Sequence, residues 1–262
     1  MLLNRAHTHS PDCHTLVPEP IDVAPIRSPQ EVHSVIGSLL KGKRLVELGT
    51  RNGDGVMCFA RIAASTAAVE YDDDYCTKLQ LRADLEKVPV EVQCKDYKKA
   101  QLDADFITWW QQAPMTNEGI LSVLKEQQCL GNIRLTAEAI VIFDHSWLGD
   151  IQDLDKLQPL FSWEKQVEFD ERERCHSTQL QIERSEAGFK CDRAQGLFTV
   201  ARIKIADFPS ETVPCRNNLS NPVQNESHLS FTATSILCVC MLLLVAMRYV
   251  VKKSLKRMAR RR

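Results

Sequence analysis

Six residues in the first hundred of this 262-residue chain have the types and spacing that a nucleoside site needs: Glu47, Gly49, Gly53, Gly55, Glu70 and Asp96. Lys43 to Gly55, KRLVELGTRNGDG, reads as one buried strand, with Leu45, Val46 and Leu48 as its apolar run, emptying into a glycine loop. Glycines at 49, 53 and 55 supply positive φ and let the backbone approach a ligand closely. A carboxylate inside a buried strand is costly, so Glu47 either pairs with a neighbour or faces a ligand at the strand's carboxyl end. Glu70 follows Gly49 by about 20 residues and suits a ribose, because a carboxylate can accept from both sugar hydroxyls. Asp96 can accept a hydrogen from an exocyclic amine. Asp144-His145 offers a different chemistry, since a neutral imidazole beside a carboxylate can take a proton near neutrality. The same pair also reads as a hydrogen-bonded strand end facing the cleft without chemistry.

The elements that must position these residues alternate along the chain. Ser28-Pro29-Gln30-Glu31 is a capping box with proline at the first helical position, and Val32, Val35, Ile36, Leu39 and Leu40 follow at helical spacing. After the loop, a helix is expected from Val56 to about Ala64, a strand over Ala67 to Val69 ending in Glu70, and a helix from about Asp74 to Leu85. Val88 to Cys94, Phe106 to Trp110 and Ala139 to Phe143 read as strands, with a helix over Gly119 to Cys129. This rhythm predicts an α/β fold with a doubly wound, mostly parallel sheet. Alternation at Val167-Glu168-Phe169 and Leu180 to Glu183, then the run Leu197 to Ile205, predicts an antiparallel edge hairpin. The expected organisation is a loose extension (1–27), the α/β domain (28–207), a linker (208–230), a transmembrane helix (231–251) and a basic tail (252–262).

With 44% hydrophobic and 26% charged residues, the chain is long enough for one sizeable core. The net charge of -1 conceals an asymmetry, because eight basic residues follow position 247 and no acid follows Glu226. Residues 1–247 therefore carry 25 basic against 34 acidic side chains, a net of -9. Such a body argues against nucleic acid as a bulk electrostatic partner. The ten cysteines include no C-x-x-C pair and read as reduced thiols serving as small core hydrophobes. His7, His9 and His14 lie in the loose extension, and no metal is expected there.

Glu47-Leu-Gly49-x-x-x-Gly53-x-Gly55, followed by Val69-Glu70-x-Asp72 and Asp96, resembles the class I S-adenosylmethionine-dependent methyltransferases over roughly residues 28–207. The resemblance implies S-adenosylmethionine as cofactor, with Glu47, Gly49, Thr50, Arg51, Asn52, Gly53, Glu70, Tyr71 and Asp96 as its neighbours. In that family the acid matching Glu70 holds the ribose and the acid matching Asp96 commonly meets the adenine amine. The three residues between the first two glycines are similar to the small-molecule O-methyltransferase branch, and Gly55 stands where serine is frequent. The methyl acceptor, an O or N of a small molecule or another partner, is less legible. The Asn/Asp-Pro-Pro-aromatic run of amide-nitrogen methyltransferases is not met at Trp109 to Pro114. Asp144-His145 resembles only half of the acid pair in cation-dependent relatives, with tryptophan in the other place, so no metal site is expected. Trp109, Trp110 and Trp147 read as acceptor pocket or as core.

Two other readings stay open. One is a membrane-tethered module that binds the cofactor without turnover. The other is a nicotinamide-dependent oxidoreductase, because G-x-x-x-G-x-G is also the spacing of short-chain dehydrogenases. Against the latter, Glu47 would place a carboxylate near a pyrophosphate, and Tyr75 is followed by Lys78, one residue short of Y-x-x-x-K.

Phe231 to Met247, extended by Tyr249 to Val251 across Arg248, gives about 20 apolar residues, the length of a membrane-spanning helix in contact with lipid. The basic tail would stay in the cytoplasm by the positive-inside rule, with the domain on the opposite side. Asn4, Arg5 and His7 interrupt any apolar leader, and dispersed cysteines suit a reducing compartment. These favour a tail-anchored protein with its domain in the cytosol, on the mitochondrial outer membrane or peroxisome rather than the endoplasmic reticulum. Asn218-Leu-Ser220 and Asn225-Glu-Ser227 fit glycosylation sequons and would carry glycan only if the domain were lumenal.

Overall fold

In the computed structural model, residues 12–18, 29–110, 115–170 and 195–209 are described. Its strands are β1 (Arg44–Leu48), β2 (Ser65–Glu70), β3 (Val90–Cys94), β4 (Phe106–Trp109), β5 (Glu138–Asp144), β6 (Phe161–Asp170) and β7 (Gln195–Lys204). They form one sheet in the order β3-β2-β1-β4-β5-β7-β6. β1 to β5 run parallel to one another, and β7 runs antiparallel to both β5 and β6. Leu48 pairs with Val69 on one side and Trp109 on the other, so the carboxyl ends of β1, β2 and β4 lie level. The chain winds outward from β1 in both directions, which opens a crevice above those ends.

The helices are α1 (Cys13–Leu16), α2 (Gln30–Gly37), α3 (Asp54–Phe59), α4 (Asp73–Glu86), α5 (Asn117–Cys129) and α6 (Leu148–Leu157). Side chains alternate along β1 as a strand requires. Leu45 joins a core with Val32, Ile36, Met57 and Leu79 from α2, α3 and α4, whereas Val46 and Leu48 join one with Leu121 and Leu124 from α5. Glu47 is on the Leu45 side.

Several sequence expectations change. α3 spans six residues and is entered through Gly53 at φ 84, where an added Cβ would collide with Leu79 Cδ1. α6 and the first half of β6 had no clear periodicity to announce them. The alternation at 180–183 lies outside the described residues. Part of the supposedly loose extension belongs to the domain, because Cys13 and Val17 are buried in the core.

The cysteine expectation is overturned. Cys13 bridges to Cys58 and Cys76 to Cys94, with Cα separations of 5.5 and 5.7 Å, and Cys129 is disulfide-bonded to a partner outside the described residues. Such separations suit a bridge. The fold brings together residues 45 and 18 positions apart, which sequence spacing alone does not disclose. Among the described residues no helix is long and apolar enough to cross a membrane, and the expected span at 231–251 lies outside them.

Gly55 occupies a closed spot: a Cβ there would lie 2.8 Å from Glu47 Oε1, 3.0 Å from His33 Nε2 and 3.1 Å from Phe59 Cε2. All three neighbours are buried. Gly55→Ala is expected to lower stability by about 1–3 kcal/mol in denaturant unfolding. Unchanged stability would show that this cluster yields at no cost.

Candidate functional site

The carboxylate of Glu70, only 6% exposed, joins two loops. Gly49, at φ 68, turns the chain out of β1, and its N–H donates to Val69 O at 2.8 Å. Two residues on, Arg51 adopts φ 49 and its backbone N–H donates to Glu70 Oε2 at 2.8 Å. Glu70 Oε1 accepts from the N–H groups of Tyr71 and Asp72 at 2.9 and 3.0 Å. Asp72 in turn caps α4, accepting from the N–H groups of Asp74 and Tyr75. The Arg51 guanidinium lies 5.3 Å from the Tyr75 ring centre and donates to its hydroxyl.

A second tie runs from α4 back to the glycine loop. Arg82, 9% exposed, donates to the Asn52 carbonyl and to Asp54, both at 2.7 Å, and to Glu86 at 2.6 Å. Arg61 reaches Glu86 from the other side at 2.8 Å. Burial works against the charge on Arg82, but Glu86 and Asp54 outweigh it and raise its pKa. Partial burial likewise opposes the charge on Glu86, and its two arginines prevail and lower its pKa.

Above the level strand ends opens a cavity of about 630 Å³. Leu48 and Gly49 line it, with the acids Glu70, Asp72 and Asp96 and the bases Arg51, Lys95 and Lys98. Trp109, Trp110, Met115 and Ile120 form an apolar side. Asp96 accepts from the Lys98 N–H at 2.9 Å, which caps a single 3-10 turn. Burial, with Asp96 beside it, raises the pKa of the neighbouring Tyr97. The Cys76–Cys94 bridge fastens the first turn of α4 to the end of β3, close behind Asp96.

Five of the residues singled out from sequence line this cavity: Gly49, Arg51, Glu70, Tyr71 and Asp96. The other four of that set do not. Glu47 is 2% exposed and lies with His33 against Gly55, Asn52 contributes its carbonyl to Arg82, and Gly53 packs on Leu79. Thr50 is buried, and its hydroxyl has no hydrogen-bond partner among the described residues. Asp144 and His145 are off the cavity wall. His145 Nε2 bonds Thr199 Oγ1 at 2.8 Å, and Asp144 Oδ1 accepts from the N–H and hydroxyl of Ser146. The sequence's second reading made the pair a hydrogen-bonded strand end facing the cleft; the hydrogen bonds are present, whereas neither residue lines the cavity.

Sequence reasoning passed over Tyr75, Tyr97, Lys95 and Lys98 as wall residues and gave Asp72 no role, although Asp72 stands in the acidic motif itself. It also passed over His33, which no motif marks. His33 is fully buried between the rings of Phe59 and Trp110, with Nδ1 3.1 Å from Gln30 Oε1 and no partner for Nε2 among the described residues. Burial pushes its pKa down to about 4, with Asp54 opposing and His14 assisting. The indole N–H of Trp110 also has no partner among the described residues. Among the described residues no three side chains converge to hold a metal ion.

No family model and no curated protein matches the chain. Solved structures that resemble it include an S-adenosylmethionine-dependent methyltransferase from Thiobacillus denitrificans in complex with S-adenosyl-L-homocysteine, at 10% identity, covering 68% of this chain and 92% of that one, TM-score 0.48. Another is precorrin-6y C5,15-methyltransferase from Geobacter metallireducens, at 11% identity over 66% and 88% of the two chains, TM-score 0.48. A third, a putative RNA methyltransferase from Pyrococcus horikoshii, shows 12% identity over 71% and 89%, TM-score 0.45. At such scores the likeness carries no argument about what this chain does.

The His33 environment gives a pH dependence with a definite sign. Its folded pKa is below the ordinary value of 6.5, so the unfolded chain binds the extra proton and stability falls as pH drops from 6.5 toward about 4. A loss of about 2 kcal/mol is expected between pH 7 and 5, measured by denaturant unfolding. His33→Phe should flatten this slope, and an equally steep slope in the variant would assign it to other groups.

Proposed function

We propose that the chain is an S-adenosylmethionine-dependent methyltransferase acting on an oxygen or nitrogen of its acceptor. The observation that carries this reading is a cavity at the strand-order reversal lined by Glu70, Asp96 and Gly49. A volume of about 630 Å³ is within the range of small-molecule sites. Gly49 has nothing within 4 Å of the place a Cβ would take, so a ligand can lie directly against the backbone. A carboxylate offers about four acceptor sites, and backbone amides use three at Glu70, which leaves about one for a sugar hydroxyl. Asp96 retains acceptor capacity for an amine. The Trp110 indole N–H, without a hydrogen-bond partner among the described residues, suits the polar amino-acid end of the cofactor.

When bound, the cofactor supplies a methyl group on a sulfonium, ready for in-line displacement. The chain's own contribution is alignment and exclusion of water. Trp109, Trp110 and Met115 present an apolar side, and aromatic faces favour a nearby cation. Among the described residues on that side no carboxylate or imidazole lines the cavity. The same feature is what a binding module without turnover would show, so transfer must be measured as well as binding. We also read the chain as tethered to a membrane through residues 231–251, on the strength of their sequence.

Isothermal titration should show S-adenosylmethionine and S-adenosylhomocysteine binding. Glu70→Ala should weaken both at least about tenfold through the lost hydroxyl contact and freed amides. The milder Asp96→Asn, which keeps the shape, should weaken them a few-fold. Absence of binding by the parent protein would sink the assignment. In a methyl-transfer assay with cell extract as the acceptor source, His145→Ala should retain turnover. Its loss, with folding and cofactor binding intact, would restore His145 as a base.

A further inference from the structure

We propose that the Cys76–Cys94 bridge is a redox switch on the cavity: a dithiol reductant attacks Cys94, opens the bridge and releases the Asp96 turn from α4, which weakens cofactor binding. The switch rests on reading the cavity as a cofactor site. The two bridges with both partners among the described residues differ in what surrounds them. Cys13 and Cys58 are each 0% exposed and sit in the core, out of reach of thiols in solution. Cys76 is buried as well, but Cys94 is exposed and lines a second cleft, of about 530 Å³, with Tyr71, Asp72, Asp73, Asp74 and Lys95. Exposed bridges are the ones that exchange readily with external thiols.

Both ends of this bridge carry wall residues of the cavity. Cys76 directly follows Tyr75, which receives the Arg51 guanidinium, and stands one turn after Asp72. Cys94 is the last residue of β3, pairs with Glu70 across the sheet and leads straight into Lys95, Asp96 and Tyr97. β3 is an edge strand, so the chain leaving it has a neighbouring strand on one side only. Beyond the bridge, the turn is held by the Lys95 N–H donating to Glu70 O at 2.9 Å, by two bonds between Gln93 and Gln101, and by Tyr97, half-buried against the core. Asp96 itself caps only its own turn. Among the described residues the one hydrogen bond from α4 to this strand end runs from the Gln80 amide to Cys94 Sγ at 3.4 Å, and it ends on the bridge. Opening the bridge therefore leaves α4 capped by Asp72 and the β2–β3 pairing in place, while Asp96 loses its covalent tie to the opposite wall.

The exchange balances. A thiolate of the dithiol attacks Cys94 Sγ from the cleft, the S–S bond breaks, and Cys76 leaves as a thiolate that takes up a proton. The second thiol of the reductant then attacks its own sulfur in the mixed disulfide and frees Cys94 as a thiol. Two electrons and two protons pass to the protein, and the reductant becomes a disulfide. Reduced Cys76 stays in the core as a small apolar residue.

The test uses the full chain with dithiothreitol as reductant. Graded reduction, alkylation and mass spectrometry should label Cys76 and Cys94 before Cys13 and Cys58. Calorimetric titration with S-adenosylhomocysteine should then show affinity about tenfold lower, as expected if only about a tenth of the molecules keep the Asp96 turn ordered, and reoxidation should restore it. The double variant Cys76→Ser with Cys94→Ser should bind as weakly as the reduced protein and ignore the reductant. If the oxidised parent does not bind at all, the cofactor reading fails and hydrogen exchange reads the switch instead: the amides of Lys95 and Lys98 should exchange faster after reduction. Unchanged affinity in a protein that binds, unchanged exchange in one that does not, or labelling of Cys13 and Cys58 first, overturns the switch.

Discussion

The arrangement depends on how one carboxylate divides its two oxygens. Glu70 takes an amide from the loop after β1 and two from the loop after β2, so neither loop can move without stranding a buried charge. The tie continues as a closed circuit. Asp72 caps α4, α4 carries Arg82, and Arg82 returns to Asn52 and Asp54 in the glycine loop and the start of α3. Arg82 and Asp54 are both nearly inaccessible to water, and a buried pair of this kind is costly to break from one side. Cavity shape is thus set by polar contacts beneath it, and the wall residues inherit their positions.

The two bridges reinforce the same region from outside the circuit. Cys13–Cys58 joins α1 to α3, the helix that the glycine loop opens into, and Cys76–Cys94 joins α4 to the strand leading to Asp96. Closing these loops restricts the unfolded chain, which stabilises the folded one. On the far side of β1, Glu47, His33 and Gly55 form a compact polar cluster. A serine at position 55 would meet that cluster with its Cβ, which accounts physically for glycine where the resembled family often has serine.

The sheet was legible because its central strands are short apolar runs broken by glycine and acid, a pattern that buried parallel strands impose. Glu70 and Asp96 were legible as cavity residues because acids at strand ends have few other reasons to stand there. Glu47 was not, since one-residue alternation decides its face and the loop motif is silent on which face holds the ligand. His145 looked equally able to act as a base or as a strand end, and Thr199, 54 residues away, takes up its ring nitrogen. The disulfides, the Arg82 network and His33 depend on long-range proximity, which no local spacing encodes. α6 was missed because its buried Asp150 and Asp153 break the apolar stripe that would have announced a helix. Asp150 receives the Asp144 N–H and Asp153 the Glu118 N–H, so polar contacts replace apolar ones there.

A crystal structure of the protein grown with S-adenosylhomocysteine tests the central claim most directly. The account predicts the ribose against Glu70, the adenine amine at Asp96 and the sulfur facing the side formed by Trp109 and Trp110. Density for the cofactor elsewhere, or an adenosine moiety lying in the cavity without contact to Glu70, would contradict it.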